Sequence, residues 1–365
     1  MKSLLAPSLY CDESVFEQER RTVFQSSWQL VGFRSELAGH NDYIAFDLNG
    51  KSIVVQNFDG ILRAFHNVCS HRQSRIRSEC AGNGPLRCPY HGWTYGADGT
   101  PTGIPGRALF DPADLADRQS LALESYAVDT CGDFVFIRTA PSGPSLAEFL
   151  GDAWAFVETA GTSLGERLSC YRLTMKANWK IVVENTLEAY HVDHVHRNSL
   201  KRLGVSGTRF DFHGLHSTYT SPTAVEKPGA ARDRLNEAFA SRPFKTDQYI
   251  HQLVFPGATI ATAHGTTFNV NLIRASAPEQ TEVVVYMFET RLGELTRSQM
   301  AMVRAMRPAV VELTNTTFDE DKVICEQVQL GMRESGRHAL LGQEEQRIEA
   351  FQSSYLRLLN GGASS

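Results

Sequence analysis

Residues 69–93 read "CSHRQSRIRSECAGNGPLRCPYHGW" and hold four metal-ligand side chains in two short pairs. The first pair is Cys69-x-His71 and the second is Cys88-x-x-His91. A structural zinc finger usually places its two cysteines close together and its two histidines close together, whereas each pair here is mixed. The spacing therefore favours two tight loops that close on one metal centre from opposite sides.

Mixed ligation by thiolate and imidazole is known for the Rieske [2Fe–2S] cluster, in which two histidines replace two cysteines on one iron. We predict that Cys69 and Cys88 hold the inner iron and that His71 and His91 hold the outer, solvent-facing iron. Neutral imidazoles bring less negative charge to the cluster than thiolates, which favours its reduced state. The alternative is a pair of buried free cysteines beside unrelated surface histidines, and four ligand-type residues in two tight pairs argue against it.

The composition indicates a globular protein without nucleic-acid or membrane partners. The chain has 365 residues, enough for two domains, with 42% hydrophobic and 21% charged residues. Its net charge of -5 gives no reason to expect binding to nucleic acid or to an anionic membrane. No apolar run reaches the length of a membrane span or of a signal peptide. Seven cysteines, an odd number, argue against a disulfide framework. We therefore predict a cytoplasmic protein.

Secondary-structure patterns divide the chain. Short β-rich segments with Asn-Gly and Asp-Gly turns occupy residues 40–140 and indicate a small antiparallel domain. An amphipathic pattern predicts a helix over residues 11–35. After a Pro/Ser/Gly-rich linker at 139–149, strands lie between predicted helices over 177–197 and 294–335. This order indicates an α+β domain whose antiparallel sheet curls around a helix.

A second group of metal-ligand residues lies in "NWKIVVENTLEAYHVDHVH", residues 178–196. On a regular helix His191 and His194 share a face, whereas His191 and His196 are five residues apart and diverge. Spacing alone therefore favours His194 as the partner of His191. Two histidines call for a carboxylate, because a 2-His-1-carboxylate triad leaves positions on Fe(II) open for oxygen and substrate.

The candidate carboxylates are three consecutive acids in "FDEDKVICEQVQ", residues 318–329. Asp321 shares a helical stripe with Ile324, Cys325 and Val328, so its side chain is expected on the apolar side. Asp319 and Glu320 align less well with that stripe. We predict Asp321 as the third ligand.

These features together resemble the large, or alpha, subunit of the Rieske non-haem iron oxygenases, over essentially the whole chain. The family pattern E-N-x-x-E/D-x-Y-H-x-x-x-x-H implies iron ligands at His191 and His196, with the helix distorted between them. The family pattern E-D-x-x-x-x-E points to Asp321. One departure is Gln73, which follows His71 and Arg72 where the family often has glycine; it removes no ligand.

The resemblance implies an α+β fold with two parts: a small all-β Rieske [2Fe–2S] domain, and a helix-grip, START-like catalytic domain with an antiparallel sheet around a long helix. We predict an N-terminal helical segment over 1–38 that packs on the catalytic domain. The Rieske domain is predicted over 39–145 and the catalytic domain, with a mononuclear Fe(II), over 146–365.

The implied activity is that of a terminal oxygenase component, which uses O₂ to hydroxylate or oxidatively demethylate a small organic substrate. Its electrons would come from a separate NAD(P)H-dependent reductase, directly or through a ferredoxin, because this chain has no flavin or nicotinamide motif. In the family the acid at the position of Glu188 joins the cluster of a neighbouring subunit to the mononuclear iron. This requires an oligomer, and the resemblance implies a homotrimer. Glu188 could instead, or also, orient His191. Asn185 is expected to line or brace the site.

Two other functions stay open at this stage. One is an aromatic-ring dioxygenase, although Glu188 and the segment 320–329 lean towards monooxygenases of the carnitine and betaine type. The other is a Rieske electron carrier or ligand-binding protein without oxygenase activity, for which an open triad would have no use. Side chains that could contact a substrate are Phe212, Tyr219, Phe255, Phe268 and Arg274.

Overall fold

In the computed structural model, the chain folds into two compact units. It describes residues 1–197, 199–203, 209–222 and 236–361. One unit comprises Met1–Ser27 and Ala147–Ser365, and the other comprises Trp28–Leu146. The boundaries at 38/39 and 145/146 stay a proposal about the domains. Among the described residues, no helix is both long and apolar enough to cross a membrane.

The unit Trp28–Leu146, called the β unit below, is built from antiparallel strands. The strands are β1 (Gln29–Phe33), β2 (Asp42–Leu48), β3 (Lys51–Phe58), β4 (Ile61–His66), β5 (Ala81–Asn83), β6 (Thr94–Tyr95), β7 (Pro101–Gly103), β8 (Ser125–Cys131) and β9 (Phe134–Arg138). One sheet has the order β1-β9-β8-β4-β3-β2-β5, and β6 pairs with β7. Positive φ at Asn49-Gly50 and Asp59-Gly60 gives the tight hairpin turns that these dipeptides predict.

The helix predicted over residues 11–35 is wrong in its second half. Helix α1 (Glu13–Glu19) continues into a π-helical turn over Arg20–Phe24, and β1 then pairs with β9. Most of β1 is buried, so its short apolar run fits a buried strand as well as a helical face. Periodicity alone therefore could not place the end of the helix.

The other unit, called the catalytic unit below, contains a second antiparallel sheet. Its strands are β10 (Leu164–Met175), β11 (Arg209–His213), β12 (His216–Pro222), β13 (Gln248–Val254), β14 (Ala258–Ala263), β15 (Thr267–Ala277) and β16 (Gln280–Thr290), in the order β10-β16-β15-β14-β13-β12-β11. The helices that follow β9 in the described chain are α2 (Leu146–Leu150), α3 (Trp154–Ser163), α4 (Trp179–Thr186), α5 (Val192–Val195), α6 (Arg297–Glu334) and α7 (Gln346–Leu359).

Helix α6 is the long helix of this unit, with 38 residues, and it confirms the helix predicted over 294–335. Thr296 begins it with a capping box, in which Gln299 reaches back to the backbone of Thr296. Asp321 and Cys325 are buried on one stripe of this helix, as the apolar pattern predicts, whereas Val328 of the same predicted stripe is exposed. The fold thus places one acid of "FDEDKVICEQVQ" inside the unit.

The single long helix predicted over residues 177–197 is wrong. Helix α4 ends at Thr186 and the four-residue helix α5 begins at Val192. Between them the Glu188 carboxylate accepts the backbone N–H groups of Tyr190 and His191. A continuous helix would use those groups for its own hydrogen bonds, so the Glu188 side chain competes with helix formation.

Buried charges fix α4 against both ends of the chain. Glu19 of α1 and Lys180 of α4 form an ion pair in which neither side chain is exposed. Tyr355 of α7 also donates to Glu19, at 2.7 Å. One turn along α4, Glu184 accepts hydrogen bonds from Tyr10 (2.8 Å) and Gln352 (2.9 Å). Breaking such a pair would leave an uncompensated buried charge, which holds the helix in place.

Substitution of Glu184 by Gln is expected to flatten the pH dependence of stability. Burial raises the pKa of Glu184 to about 7 from its usual 4.5, although hydrogen bonds from Gln352 and Tyr10 lower it. The folded protein therefore binds this proton more tightly than the unfolded chain, and stability falls as pH rises from about 4.5 to about 7. At about 1.4 kcal/mol per pH unit, the free energy of unfolding falls by about 3 kcal/mol over this range.

Denaturant unfolding of the wild type and Glu184→Gln at pH 5 and pH 8 measures this contribution. Between the two pH values, the free energy of unfolding of the wild type should fall by about 3 kcal/mol more than that of the variant. Equal losses in the two proteins would show that Glu184 titrates normally.

Candidate metal centres

The two Cys/His pairs of the β unit lie in loops that close in the same way. In the first loop, the Gln73 N–H donates to the Cys69 carbonyl (3.0 Å), and the Cys69 N–H donates to the Ser74 carbonyl (2.8 Å). In the second, the Gly92 N–H donates to the Cys88 carbonyl at 3.1 Å. Both cysteines are almost fully buried. Each loop therefore presents one buried thiol and one histidine.

The residue that closes each loop has a left-handed backbone. Gly92 has φ +73° and Gln73 has φ +58°. Glycine adopts this conformation without strain, whereas another residue pays about 1–2 kcal/mol. Gln73, the departure from the family pattern, therefore keeps the loop geometry at some energetic cost.

The side chains of the two loops meet in like pairs, histidine with histidine and cysteine with cysteine. The His71 and His91 rings are 4.7 Å apart between centroids, and His71 stacks on Trp93 at 5.1 Å. Burial raises the pKa of the Cys69 thiol, and the adjacent Cys88 thiol raises it further. Metal ligation would relieve this cost, because metal-bound thiols are deprotonated.

An unpartnered atom shows that this site fits a cluster. His71 Nδ1 is buried and has no hydrogen-bond partner among the described residues. A buried polar atom normally has a partner, and an iron ligated by Nδ1 would supply it. Two buried thiols and two adjacent imidazoles are the donor set of a Rieske [2Fe–2S] cluster.

The Tyr95 hydroxyl lies beside one of the predicted ligands. It is 3.0 Å from Cys69 Sγ and 3.0 Å from Ser70 Oγ, and it accepts the Ser70 N–H at 3.1 Å. Hydrogen bonds to the cysteine sulfur are among the factors that set the potential of an iron–sulfur cluster. Tyr95 is therefore placed to tune the cluster.

In the catalytic unit, His191, His196 and Asp321 bring three donor atoms within 4.8 Å of one another. The two Nε2 atoms are 3.1 Å apart. Asp321 Oδ1 lies 3.0 Å from His196 Nε2 and 3.6 Å from His191 Nε2. Donors about 2.1 Å from one ion at right angles are about 3.0 Å apart, so this set fits a facial 2-His-1-carboxylate site.

The short helix α5 brings the two histidines together. His191 precedes its first residue and His196 follows its last, where the chain leaves helical geometry. His194 is exposed and contacts the Tyr190 ring at 6.5 Å. The structure thus groups His196 with His191 and leaves His194 outside, contrary to the choice that regular helical spacing favours.

Asp321 is held by the side chains around it. Asn185 Nδ2 donates to Asp321 Oδ1 at 2.8 Å. Burial raises the pKa of Asp321, but hydrogen bonds with His191, His196 and Asn185 outweigh it and leave the pKa below its usual value. Asp321 is therefore a carboxylate at neutral pH, the form that binds a metal ion. Asn185 thus holds the Asp321 side chain, and its role at the site stays a prediction.

Glu188 uses both carboxylate oxygens locally. Oε1 contacts His191 Nδ1, and Oε2 accepts the backbone N–H groups of Tyr190 and His191. This is the arrangement expected of a carboxylate that orients His191. The bridging role of Glu188 stays a prediction.

Sequence reasoning missed one acid of this site. Glu320 Oε2 accepts a hydrogen bond from His196 Nδ1 at 2.8 Å and another from Ser199 Oγ at 2.5 Å. Its neighbour Asp319 instead accepts from the Tyr171 hydroxyl at 2.6 Å. Glu320 lies off the apolar stripe that selects Asp321, but it is the first Glu of the family pattern E-D-x-x-x-x-E, which could have indicated it.

The candidate substrate contacts divide into core and surface residues. Phe255 and Phe268 are fully buried, whereas Phe212 is half exposed. Tyr219 belongs to an aromatic group: its ring centroid lies 6.1 Å from that of Phe210 and 6.0 Å from that of Tyr249.

Two further observations concern these candidates. Burial raises the pKa of Tyr249, and the charge of Asp321 raises it further. Arg274 is paired in register with Glu282 on the neighbouring strand. Glu282 forms an ion pair with Arg172 at 3.2 Å, so Arg274 lies beside a charged pair of the sheet.

Comparison with known families gives two matches. The ring hydroxylating alpha subunit (catalytic domain) model matches residues 163–361, and the Rieske [2Fe-2S] domain model matches residues 27–119. A solved structure, the quaternary ammonium Rieske monooxygenase CntA with an inhibitor, superposes with a TM-score of 0.77 at 23% identity, over 97% of this chain and 94% of that one.

Two curated relatives are similar in sequence. The carnitine monooxygenase oxygenase subunit of Escherichia coli (strain K12) is 34% identical over 235 residues, which are 62% of this chain and 60% of the relative. The glycine betaine monooxygenase oxygenase subunit of Pseudomonas aeruginosa (strain UCBPP-PA14) is 32% identical over 205 residues, or 54% of this chain and 46% of the relative. The chain thus matches about half to three fifths of their lengths.

Proposed function

The chain belongs to the ring-hydroxylating alpha-subunit family and has its Rieske [2Fe–2S] domain, and from this premise we propose that it is the terminal component of an oxygenase. It would use O₂, and electrons from a separate NAD(P)H-dependent reductase, to hydroxylate or oxidatively demethylate a small organic substrate. The observation that supports this best is the open triad of His191, His196 and Asp321, because an electron carrier has no use for it.

The family's cofactors are a Rieske cluster and a mononuclear iron, and both donor sets fit them. Cys69, His71, Cys88 and His91 would hold the cluster, and the triad would hold the iron. The cluster supplies single electrons and the iron supplies the oxygen chemistry. The chain's own residues set the ligand geometry: Asn185 holds the Asp321 carboxylate, and Glu188 holds the His191 ring.

We propose that electrons cross between subunits. In one subunit His71 or His91 would face Glu188 of the next, and Glu188 already contacts His191 through Oε1. One carboxylate would then touch a ligand of each metal centre. This route requires an oligomer, for which we propose a cytoplasmic homotrimer that receives electrons from the reductase directly or through a ferredoxin.

For the substrate we propose a small quaternary ammonium compound that undergoes monooxygenation. The similar relatives are named for carnitine and glycine betaine. Phe210, Tyr219 and Tyr249 form a row of rings in the same unit as the triad. Aromatic faces within about 6 Å attract a quaternary ammonium group by cation–π interaction.

The test is turnover of the reconstituted protein under ¹⁸O₂ with reductase, NADH and a panel of L-carnitine, glycine betaine and naphthalene. The proposal expects oxidation of a quaternary ammonium compound with one labelled oxygen atom in the products. Two labelled atoms in a ring diol would identify a dioxygenase instead. A cluster that is reduced and reoxidised without substrate oxidation, although the triad is filled with iron, would identify an electron carrier.

A further inference from the structure

We propose that Glu320 is a positioning residue of the mononuclear iron site, which holds the His196 ring through Nδ1 so that Nε2 faces the metal. The inference rests on the proposed iron at His191, His196 and Asp321. It assigns a role to an acid that the apolar pattern of α6 had set aside.

When a metal occupies Nε2, the contacts of His196 leave one arrangement of its proton. Nδ1 lies 2.8 Å from Glu320 Oε2, and Nε2 lies 3.0 Å from Asp321 Oδ1. An ionised carboxylate only accepts hydrogen bonds, so contact with Glu320 places the proton on Nδ1. The Nε2 lone pair then belongs to the metal, and Glu320 accepts the one proton of the neutral ring.

Ser199 fixes the Glu320 carboxylate in turn. The Ser199 hydroxyl donates to Oε2 at 2.5 Å and Ser199 is fully buried, while the Glu320 side chain is 22% exposed. The oxygen that accepts from His196 is thus the one that Ser199 holds. A surface carboxylate without such a partner would lose more side-chain entropy on forming the same contact.

The position of His196 explains why it needs an external support. It follows the last residue of α5, which has only four residues and cannot hold a ring rigidly. Helix α6, with 38 residues, supplies Glu320 and Asp321 in consecutive positions. One rigid helix therefore contacts both nitrogens of the same imidazole.

The two histidines of the triad are supported in parallel ways. His191 Nδ1 contacts Glu188, and His196 Nδ1 contacts Glu320. Ligand histidines commonly donate their second N–H to a carboxylate, which fixes the ring and raises its basicity. The structure gives each histidine its own carboxylate, and only Glu188 is also proposed for electron transfer.

The test measures Fe(II) binding rather than turnover. Cluster-loaded wild type, Glu320→Ala and Glu320→Gln are stripped of mononuclear iron and titrated anaerobically with Fe(II) against a competing chelator. Loss of such a carboxylate weakens metal binding about 10–100-fold, which is the result expected for Glu320→Ala. Glu320→Gln keeps an acceptor for Nδ1 and should lose less.

The matched control is Glu326→Ala on the same helix. Glu326 accepts the Lys176 backbone N–H at 2.9 Å and contacts no predicted ligand, so its removal should leave the Kd for Fe(II) unchanged. The visible spectrum of Co(II) bound in place of iron adds a readout that a purely structural contact would not move. It should shift in Glu320→Gln, because the ring loses its charged partner.

Different results would contradict the role of Glu320 and the proposed iron site itself. If Glu320→Ala binds Fe(II) as tightly as the wild type, or if Glu326→Ala loses as much affinity as Glu320→Ala, the proposed role of Glu320 is wrong and the iron site is unaffected. Fe(II) binding by the wild type that Asp321→Ala leaves intact would instead contradict the proposed iron site. If Glu320→Ala does not fold, Ser199→Ala decides, because it should weaken Fe(II) binding up to about tenfold and an unchanged Kd would reject the proposal.

Discussion

Asp321→Ala is expected to empty the mononuclear site and abolish oxygenation while leaving the cluster spectrum intact. The substitution removes the carboxylate that lies 3.0 and 3.6 Å from the two histidine Nε2 atoms. Loss of a residue that only supports a ligand already costs about 10–100-fold in metal affinity, so loss of a ligand should exceed that. Iron content, turnover and the visible spectrum of the purified variant measure the three effects.

Neighbouring substitutions provide the controls. Asp319→Ala removes an acid two positions away that contacts Tyr171, and it should keep its mononuclear iron. His194→Ala should also keep iron, because His194 is exposed and stands outside the triad, whereas His196→Ala should lose it. If Asp319→Ala loses iron while Asp321→Ala retains it, the carboxylate ligand is assigned to the wrong residue. If His194→Ala loses iron while His196→Ala retains it, the second histidine ligand is wrong.

Glu188→Gln is expected to slow electron transfer from the reduced cluster to the mononuclear iron by about 10–100-fold. It removes the charge from the carboxylate that is proposed to join the two centres. A hydrogen bond to a charged group contributes about 1.5–3 kcal/mol, which corresponds to rate factors of this size. Stopped-flow reoxidation of the cluster, with substrate and O₂ present, measures the rate.

The contacts of Glu188 within its own subunit complicate the interpretation of this rate. Both oxygens of Glu188 already accept hydrogen bonds within its own subunit, and Gln can replace only one of them. Iron occupancy is therefore measured and restored with excess Fe(II) before the rate is taken. If turnover recovers fully once iron is restored, Glu188 only orients His191. A slow rate at full occupancy supports the bridge.

The sequence predicts which candidate ligand side chains lie together better than it predicts the helices that carry them. The mixed pairs at 69–71 and 88–91 are short enough that two tight loops determine their geometry, and the structure closes both loops alike. The apolar stripe of α6 likewise placed Asp321 on the buried side. In both cases a local pattern decided the outcome, so it was readable from the sequence.

Where tertiary contacts decide, periodicity failed. The break between α4 and α5 depends on the Glu188 side chain taking backbone N–H groups, which no helical pattern shows. The family pattern, and not helical spacing, selected His196 over His194. Glu320 was missed for the same reason, because its partners His196 and Ser199 are distant in sequence.

The most direct test of the central account, a Rieske cluster and a mononuclear iron in one chain, is elemental analysis of anaerobically purified protein. We expect the iron and acid-labile sulfide of one [2Fe–2S] cluster, one further iron per chain, and a Rieske-type spectrum that His71→Cys alters or abolishes. Stoichiometric zinc without acid-labile sulfide would contradict it.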